Sequence, residues 1–159
     1  MTETQRLHAR AIEPVSECLI HRLIVPDVYW EADWPAPGRG VDLLIIDHAG
    51  AGAVHVVEIK RRVSDALHAI PQVMSIPAHY RWVAFFANTL DAKTERILIG
   101  RKPLFPSKGP GCVGVIVVRR NKDGTLEASI KIPAERFPGS YAAEVDAFKA
   151  GHKPTISFG

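Results

Sequence analysis

The chain has little cysteine and no long hydrophobic run. Its 159 residues include only Cys18 and Cys112, which lie far apart. This pattern excludes a disulfide framework and a structural zinc site, and we predict that both thiols are core residues. The longest apolar runs, 43–46 and 113–118, fall well short of the roughly 20 residues of a membrane-spanning helix. The N-terminal segment has no apolar signal-peptide core, so we expect a cytoplasmic protein.

No charge of one sign dominates the sequence. There are 20 Lys and Arg residues against 17 Asp and Glu, a net charge of +3, which permits a nucleic-acid partner without requiring one. The seven histidines show no metal-ligand spacing, and we predict that His48 and His55 face solvent. No Gly-Lys-Ser/Thr follows Gly50 and Gly52, which excludes a phosphate-binding loop of that type.

Hydrophobic periodicity predicts an alternation of helices and strands. Strands are predicted over residues 28–34, 41–47, 54–60, 81–87, 113–120 and 126–132. Helices are predicted over residues 13–23 with Pro14 in the first position, from an N-cap at Ser64 with a kink or break at Pro71, and over 91–100 and about 141–150. Residues 101–111 are rich in Pro, Gly and Lys and are predicted to form a loop.

These elements predict one α/β domain over residues 1–159, with a central mixed sheet flanked by helices. The strands 41–47 and 54–60 form an antiparallel hairpin. Both strands are apolar almost throughout, so we expect helices to cover both faces of the sheet. The strands 113–120 and 126–132 flank Asn121-Lys-Asp-Gly-Thr and form a second, C-terminal hairpin.

Two carboxylates and one ammonium meet at the end of the first hairpin. A turn centred near Gly50 and Ala51 places Asp42 opposite Glu58 or Ile59. Because side chains alternate along a strand, Glu58 and Lys60 project from the same face, within reach of Asp42. Two buried carboxylates repel each other, so a further positive charge is expected. Mg²⁺ or Mn²⁺, which prefer oxygen ligands, would supply it.

The arrangement of Asp42 followed by Glu58-Ile59-Lys60 resembles the active-site motif of the PD-(D/E)XK nuclease superfamily. The predicted order of helix, three-strand meander, helix and strand also resembles the core of that superfamily, the restriction-endonuclease-like fold. The resemblance covers the core at about 13–90 and leaves 91–159 as an extension. Many members carry a glutamate on the first helix and a glutamine on the second, which Glu17 and Gln72 match in type and position.

The resemblance implies a metal-dependent nuclease. Asp42, Glu58, the carbonyl of Ile59 and Glu17 would hold Mg²⁺ or Mn²⁺, Lys60 would act on the attacking water, and Gln72 would steady Lys60 or the scissile phosphate. DNA is expected rather than RNA, and an endonuclease is favoured. Phosphate contacts are expected from basic residues in two segments of the chain. These residues are Arg61, Arg62, Arg101, Lys102 and Lys108.

The sequence departs from the superfamily pattern at several positions. Val41 stands where many members have proline before the aspartate, and the literal Pro26-Asp27 cannot pair across the hairpin with Glu58. Pro71 disturbs the helix that would present Gln72, and Glu13 competes with Glu17 for the helical acid.

Two other functions remain open on the sequence alone. One is a nuclease-fold protein that binds nucleic acid or protein without cutting, and the other is an accessory subunit of a defence, repair or mobile-element complex. A homodimer is compatible with cleavage of both strands of a duplex.

Overall fold

The protein is described by a computed structural model over residues 2–49, 52–87 and 111–157. The strands are β1 (Pro26–Asp33), β2 (Gly40–Asp47), β3 (Ala53–Ile59), β4 (Tyr80–Phe86), β5 (Gly114–Arg120), β6 (Leu126–Ile132) and β7 (Ile156–Ser157). The helices are α1 (Glu3–Ile20), α2 (Val63–Met74) and α3 (Ala142–Gly151).

The strands form one mixed sheet in the order β6-β5-β4-β3-β2-β1-β7. Strands β1, β2 and β3 form an antiparallel meander, β3, β4 and β5 are parallel neighbours, and β6 returns antiparallel to β5. The α/β class, the mixed sheet and the predicted element order from α1 to β4 are confirmed. The C-terminal hairpin of β5 and β6 extends the same sheet beyond β4.

Each face of the sheet has its own hydrophobic core, because the central strands are apolar on both sides. Helix α1 covers one face, where its buried side chains pack with Leu43, Ile45 and Val57. Helix α2 covers the other face, where it packs over β3 and β4, in the core that contains Val56 and Val83. The prediction of a hairpin buried on both faces is therefore confirmed.

Helix α3 also packs on the α2 face, near the β1 edge. Its one buried residue, Phe148, makes edge contacts with Tyr29 and Trp34, at ring-centroid distances of 4.8 and 5.7 Å. This aromatic cluster attaches the C-terminal helix to the meander.

Helix α1 begins ten residues earlier than predicted, at Glu3, and Pro14 lies inside it. The prediction treated Pro14 as the first helical residue and overlooked Ala11 and Ile12, which are both buried and extend the apolar stripe towards the N-terminus. A helix start is predicted from residues such as proline that favour the first turn. Here the tertiary packing of the apolar stripe extends the helix beyond that signal.

Helix α2 also differs from its prediction. Its N-cap is Arg62, which makes no side-chain capping bond, so Ser64 lies within the first turn instead of capping it. Pro71 neither splits nor ends the helix, which continues to Met74.

Other predictions concern the chain beyond β4 and the two thiols. The predicted helix at 91–100 and the predicted loop up to residue 110 lie outside the described residues. Cys112 is buried, as predicted, whereas Cys18 is only partly buried. None of the helices in the described ranges is long and apolar enough to cross a membrane.

Candidate active site

The register of β2 and β3 brings Asp42 opposite Glu58. The paired residues run from Asp47 with Ala53 to Leu43 with Val57, and one further step along both strands reaches Asp42 and Glu58. Residues opposite each other in an antiparallel pair share a face, so both carboxylates lie on the α2 face, beyond Leu44 and Val56. The first of the two predicted registers is therefore the observed one.

The Asp42 side chain bridges the two strands. Its Oδ2 atom accepts a hydrogen bond of 2.7 Å from the backbone N–H of Ile59, the central residue of the Glu-Ile-Lys segment. On the other side of β3, the N–H of Lys60 donates to the carbonyl of Ala84 on β4, at 2.8 Å. The backbone that carries Glu58 and Lys60 is thus held by hydrogen bonds to both neighbouring strands. These bonds fix the positions from which the two side chains extend.

Glu58 is a buried carboxylate, with only 4% of its surface exposed. Its partner on β4 is Val83, so it lies beside an apolar neighbour on the inner part of the sheet. Asp42 and Lys60 are partly buried. Ionised carboxylates in such surroundings are costly unless positive charge compensates them, and Lys60, directly after β3, is a candidate source of that charge.

The ligands present suit a hard divalent cation that retains water. Among the residues described, no group of three or more His, Cys, Asp or Glu side chains could hold a metal ion. Asp42, Glu58 and the Ile59 carbonyl therefore offer two carboxylates and one carbonyl. Mg²⁺ is commonly bound through one or two carboxylates with several waters retained, whereas structural zinc needs four protein ligands. The ligand set fits Mg²⁺ or Mn²⁺ and does not fit structural zinc.

The structure does not bring Glu17 to this cluster. Helix α1 packs on the opposite face of the sheet, and Glu17 is exposed on it. Glu17 and its competitor Glu13 instead line a surface groove with Trp30 and Leu126. The prediction of a helical acid at either position is wrong because periodicity identifies which side of a helix is buried, but not which face of the sheet covers it.

Gln72 is also remote from the cluster. It lies in the last turn of α2, is exposed, and its carbonyl accepts hydrogen bonds from Ser75. Because α2 starts just after Lys60 and rises about 1.5 Å per residue, Gln72 lies roughly 13 Å along the helix axis from Val63. The assignment of Gln72 is therefore wrong.

The predicted basic residues divide into two groups. Arg61 and Arg62 are exposed in the connection between β3 and α2, directly after Lys60. Arg101, Lys102 and Lys108 lie outside the described residues.

The Nη2 atom of Arg61 is 3.8 Å from Oε1 of Glu3, which places the start of α1 at this edge of the sheet. Sequence reasoning missed Glu3 because it began the helix at residue 13, although the buried stripe at Ala11 and Ile12 was a signal of an earlier start.

Two further sequence predictions concern the far end of the hairpin. Asp27 pairs with Ile46 on β2 and contacts His48 at 2.8 Å, so Pro26-Asp27 is not part of the cluster, as predicted. His55 does not face solvent: it is 5% exposed, stacks on Tyr80, and receives a hydrogen bond from Trp82 at 3.3 Å. Burial lowers the pKa of His55 to about 3, so the ring is neutral.

The sheet order and the hairpin geometry define a class: an α/β protein with an antiparallel meander joined to parallel strands and a carboxylate pair at the end of the meander. No family model matches the chain, and no curated protein matches it. Among solved structures, it is similar to the SPO1766 protein of unknown function from Silicibacter pomeroyi, with 17% sequence identity and a TM-score of 0.58. The match covers 90% of this chain and 81% of that one, and it supports the fold alone.

Proposed function

We propose that the protein is a metal-dependent nuclease that hydrolyses phosphodiester bonds in DNA, with an endonuclease favoured. The observation that carries the proposal is the hydrogen bond of 2.7 Å between Asp42 Oδ2 and the N–H of Ile59. This contact joins the aspartate to the Glu-Ile-Lys segment, in the arrangement that resembles the PD-(D/E)XK motif. A cytoplasmic location and a homodimer belong to the proposal on the sequence grounds given above.

The carboxylates of Asp42 and Glu58, with the carbonyl of Ile59, would hold the cation. When bound, Mg²⁺ or Mn²⁺ would lower the pKa of a water and stabilise charge on the phosphate. Lys60 projects from the same face as Glu58, and its ammonium would orient the attacking water and stabilise the charge that develops on the phosphate oxygens. Glu17 and Gln72 have no role in this proposal, because neither lies near the cluster.

The fixed backbone around Ile59 supports catalysis in preference to loose ion binding. Preorganised groups stabilise a transition state without the cost of reorganising during the reaction. Here the hydrogen bonds of the Ile59 and Lys60 N–H groups hold the backbone that carries the Glu58 and Lys60 side chains.

Cleavage assays with supercoiled plasmid, linear duplex, single strands and RNA, each with Mg²⁺, Mn²⁺ or EDTA, test the proposal. We expect plasmid cleavage with either metal, none with EDTA, and a loss of roughly 10²–10³ in rate for Glu58→Gln. Glu144→Gln, on the exposed surface of α3, is the matched control and should cleave normally. If folded wild-type protein cuts none of these substrates, the proposal is wrong and the non-cutting alternative replaces it.

A further inference from the structure

The parallel strands place a second group of basic side chains at the same edge of the sheet as the acidic cluster. Glu58 on β3 is paired with Val83 on β4, which is paired with Val115 on β5. The carboxyl ends of strands β3, β4 and β5 therefore lie together and form this edge of the sheet. Strand β5 ends there with Arg119 and Arg120, and Lys122 follows in the turn to β6. We call Arg119, Arg120 and Lys122 the turn cluster; all three are exposed.

The register also relates the turn cluster to Lys60. Continuing the β3–β4 pairing by one residue aligns Lys60 with Phe85, which is paired with Val117. Arg119 lies two residues beyond Val117 and projects from the same face. Two strand spacings of about 4.8 Å and two residues of about 3.3 Å put the Cα atoms of Lys60 and Arg119 about 12 Å apart.

The turn that carries these side chains is held in place by its own hydrogen bonds. The N–H of Asn121 donates to the carbonyl of Thr125 at 2.8 Å, and Asp123 accepts from both the N–H and the hydroxyl of Thr125. Arg10 of α1 donates to the carbonyl of Gly124 at 2.7 Å, which ties the turn to the first helix. These hydrogen bonds therefore hold the backbone that carries the turn cluster in a defined conformation.

The charges at this end of the β5–β6 hairpin favour an anionic partner. Asp123 is engaged with Thr125, which lowers the pKa of its carboxyl, and Glu127 is the cross-strand partner of Arg119. Glu13 and Glu17 of α1 line a surface groove with Arg10 and Thr125. Within residues 119–127 the three cations of the turn cluster stand against two acids, a net charge of +1. Arg119 projects from the face of Lys60, whereas Glu13 and Glu17 belong to α1, which covers the opposite face. Exposed basic side chains at fixed spacing are suited to the phosphates of a nucleic-acid backbone.

We propose that the turn cluster binds the DNA backbone a few phosphates away from the one that is hydrolysed. The inference rests on the proposed function for the position of the reacting phosphate beside Lys60. Phosphates of one strand rise about 3.4 Å per nucleotide along the duplex axis and also wind around it, so a separation of about 12 Å spans at most three of them. The β5–β6 hairpin would thus be one of the parts of the chain that set how a duplex lies across the site.

Binding of a short fluorescein-labelled duplex in EDTA, measured by anisotropy at NaCl concentrations between about 50 and 200 mM, tests the proposal. The variant is Arg119→Gln/Lys122→Gln. Its control, Arg22→Gln/Arg136→Gln, loses the same charge at exposed positions of the opposite edge, where both residues lie near Tyr80. Circular dichroism and thermal unfolding verify that both variants are folded.

We expect the turn variant to reduce the slope of log K against log salt by about 2 and to weaken binding roughly 10- to 100-fold at the lowest salt, whereas the control keeps the wild-type slope. Equal slopes in the two variants, or no binding by the wild type, would overturn the turn cluster as a phosphate contact. Cleavage is scored separately: if the turn variant weakens binding but the wild type cuts nothing, the turn cluster is a phosphate contact, whereas its placement relative to a hydrolysed phosphate and the nuclease proposal are both refuted.

Discussion

Replacement of Asp42 separates its structural role from its chemical role. Its Oδ2 atom accepts the N–H of Ile59 at 2.7 Å, and the same carboxylate is a proposed ligand of the cation. Asp42→Asn keeps an oxygen that can accept this hydrogen bond but removes the negative charge. Asp42→Ala removes both. The two variants should therefore lose cleavage activity to a similar extent but differ in their free energy of unfolding.

The short bond to an ionised acceptor sets the expected magnitude. Hydrogen bonds to charged groups contribute about 1.5–3 kcal/mol, and Asp42→Ala also leaves the Ile59 N–H without this acceptor. For a chain of this length, about 2–4 °C is lost per kcal/mol, so Tm should fall by roughly 3–12 °C. Asp42→Asn should change the free energy of unfolding by less than about 1 kcal/mol, since it also relieves repulsion with Glu58.

Thermal unfolding and plasmid cleavage, carried out on the same protein preparations, check both parts. Cleavage should fall by roughly 10²–10³ in both variants. Isothermal titration with Mn²⁺ should show weaker metal binding in both. Wild-type cleavage by Asp42→Asn would refute the role of Asp42 as a cation ligand, and an unchanged Tm in Asp42→Ala would show that the bond to Ile59 contributes nothing to stability.

Two further predictions concern Lys60 and His55. Lys60→Ala should lose roughly 10²–10³ in cleavage rate while it retains metal and duplex binding, because the ammonium acts on water and developing charge; normal cleavage by the folded variant would exclude that role. The folded-state pKa of His55, about 3, lies below its unfolded value of 6.5, so the unfolded chain takes up the proton first and stability falls as pH decreases from about 6.5 towards 3. Urea unfolding should show about 2 kcal/mol less stability at about pH 5 than at about pH 7. His55→Gln should reduce this difference, the exposed His68→Gln should not, and equal pH dependence in both variants would contradict the assignment.

Local sequence determines the carboxylate pair. Asp42 and Glu58 belong to two apolar strands joined by a short turn, and such a turn allows few registers. Alternation along β3 then places Lys60 on the face of Glu58. These rules act over fewer than about 20 residues, and for that reason the prediction of this pair of strands and its register agrees with the structure.

The positions of the helices depend on the tertiary structure. The apolar stripe of α1 predicts that the helix is buried along one side, but the chain could place it on either face of the sheet. It lies on the face away from Asp42, which removes Glu17 from the cluster. Exposure of Gln72, by contrast, follows from the apolar stripe of α2 itself, which buries Ile70 and Val73.

Long-range strand pairing decided the remaining features. His55 is buried because Tyr80 and Trp82, from β4, pack around it, and nothing close to His55 in the sequence indicates that neighbourhood. The turn cluster reaches the edge that carries Lys60 because β5 runs parallel to β3 with β4 between them. Local periodicity specifies which residues of an element face a core, but it does not specify which elements become neighbours. That choice depends on burying both faces of the whole sheet at once, and it is made only when the complete chain folds.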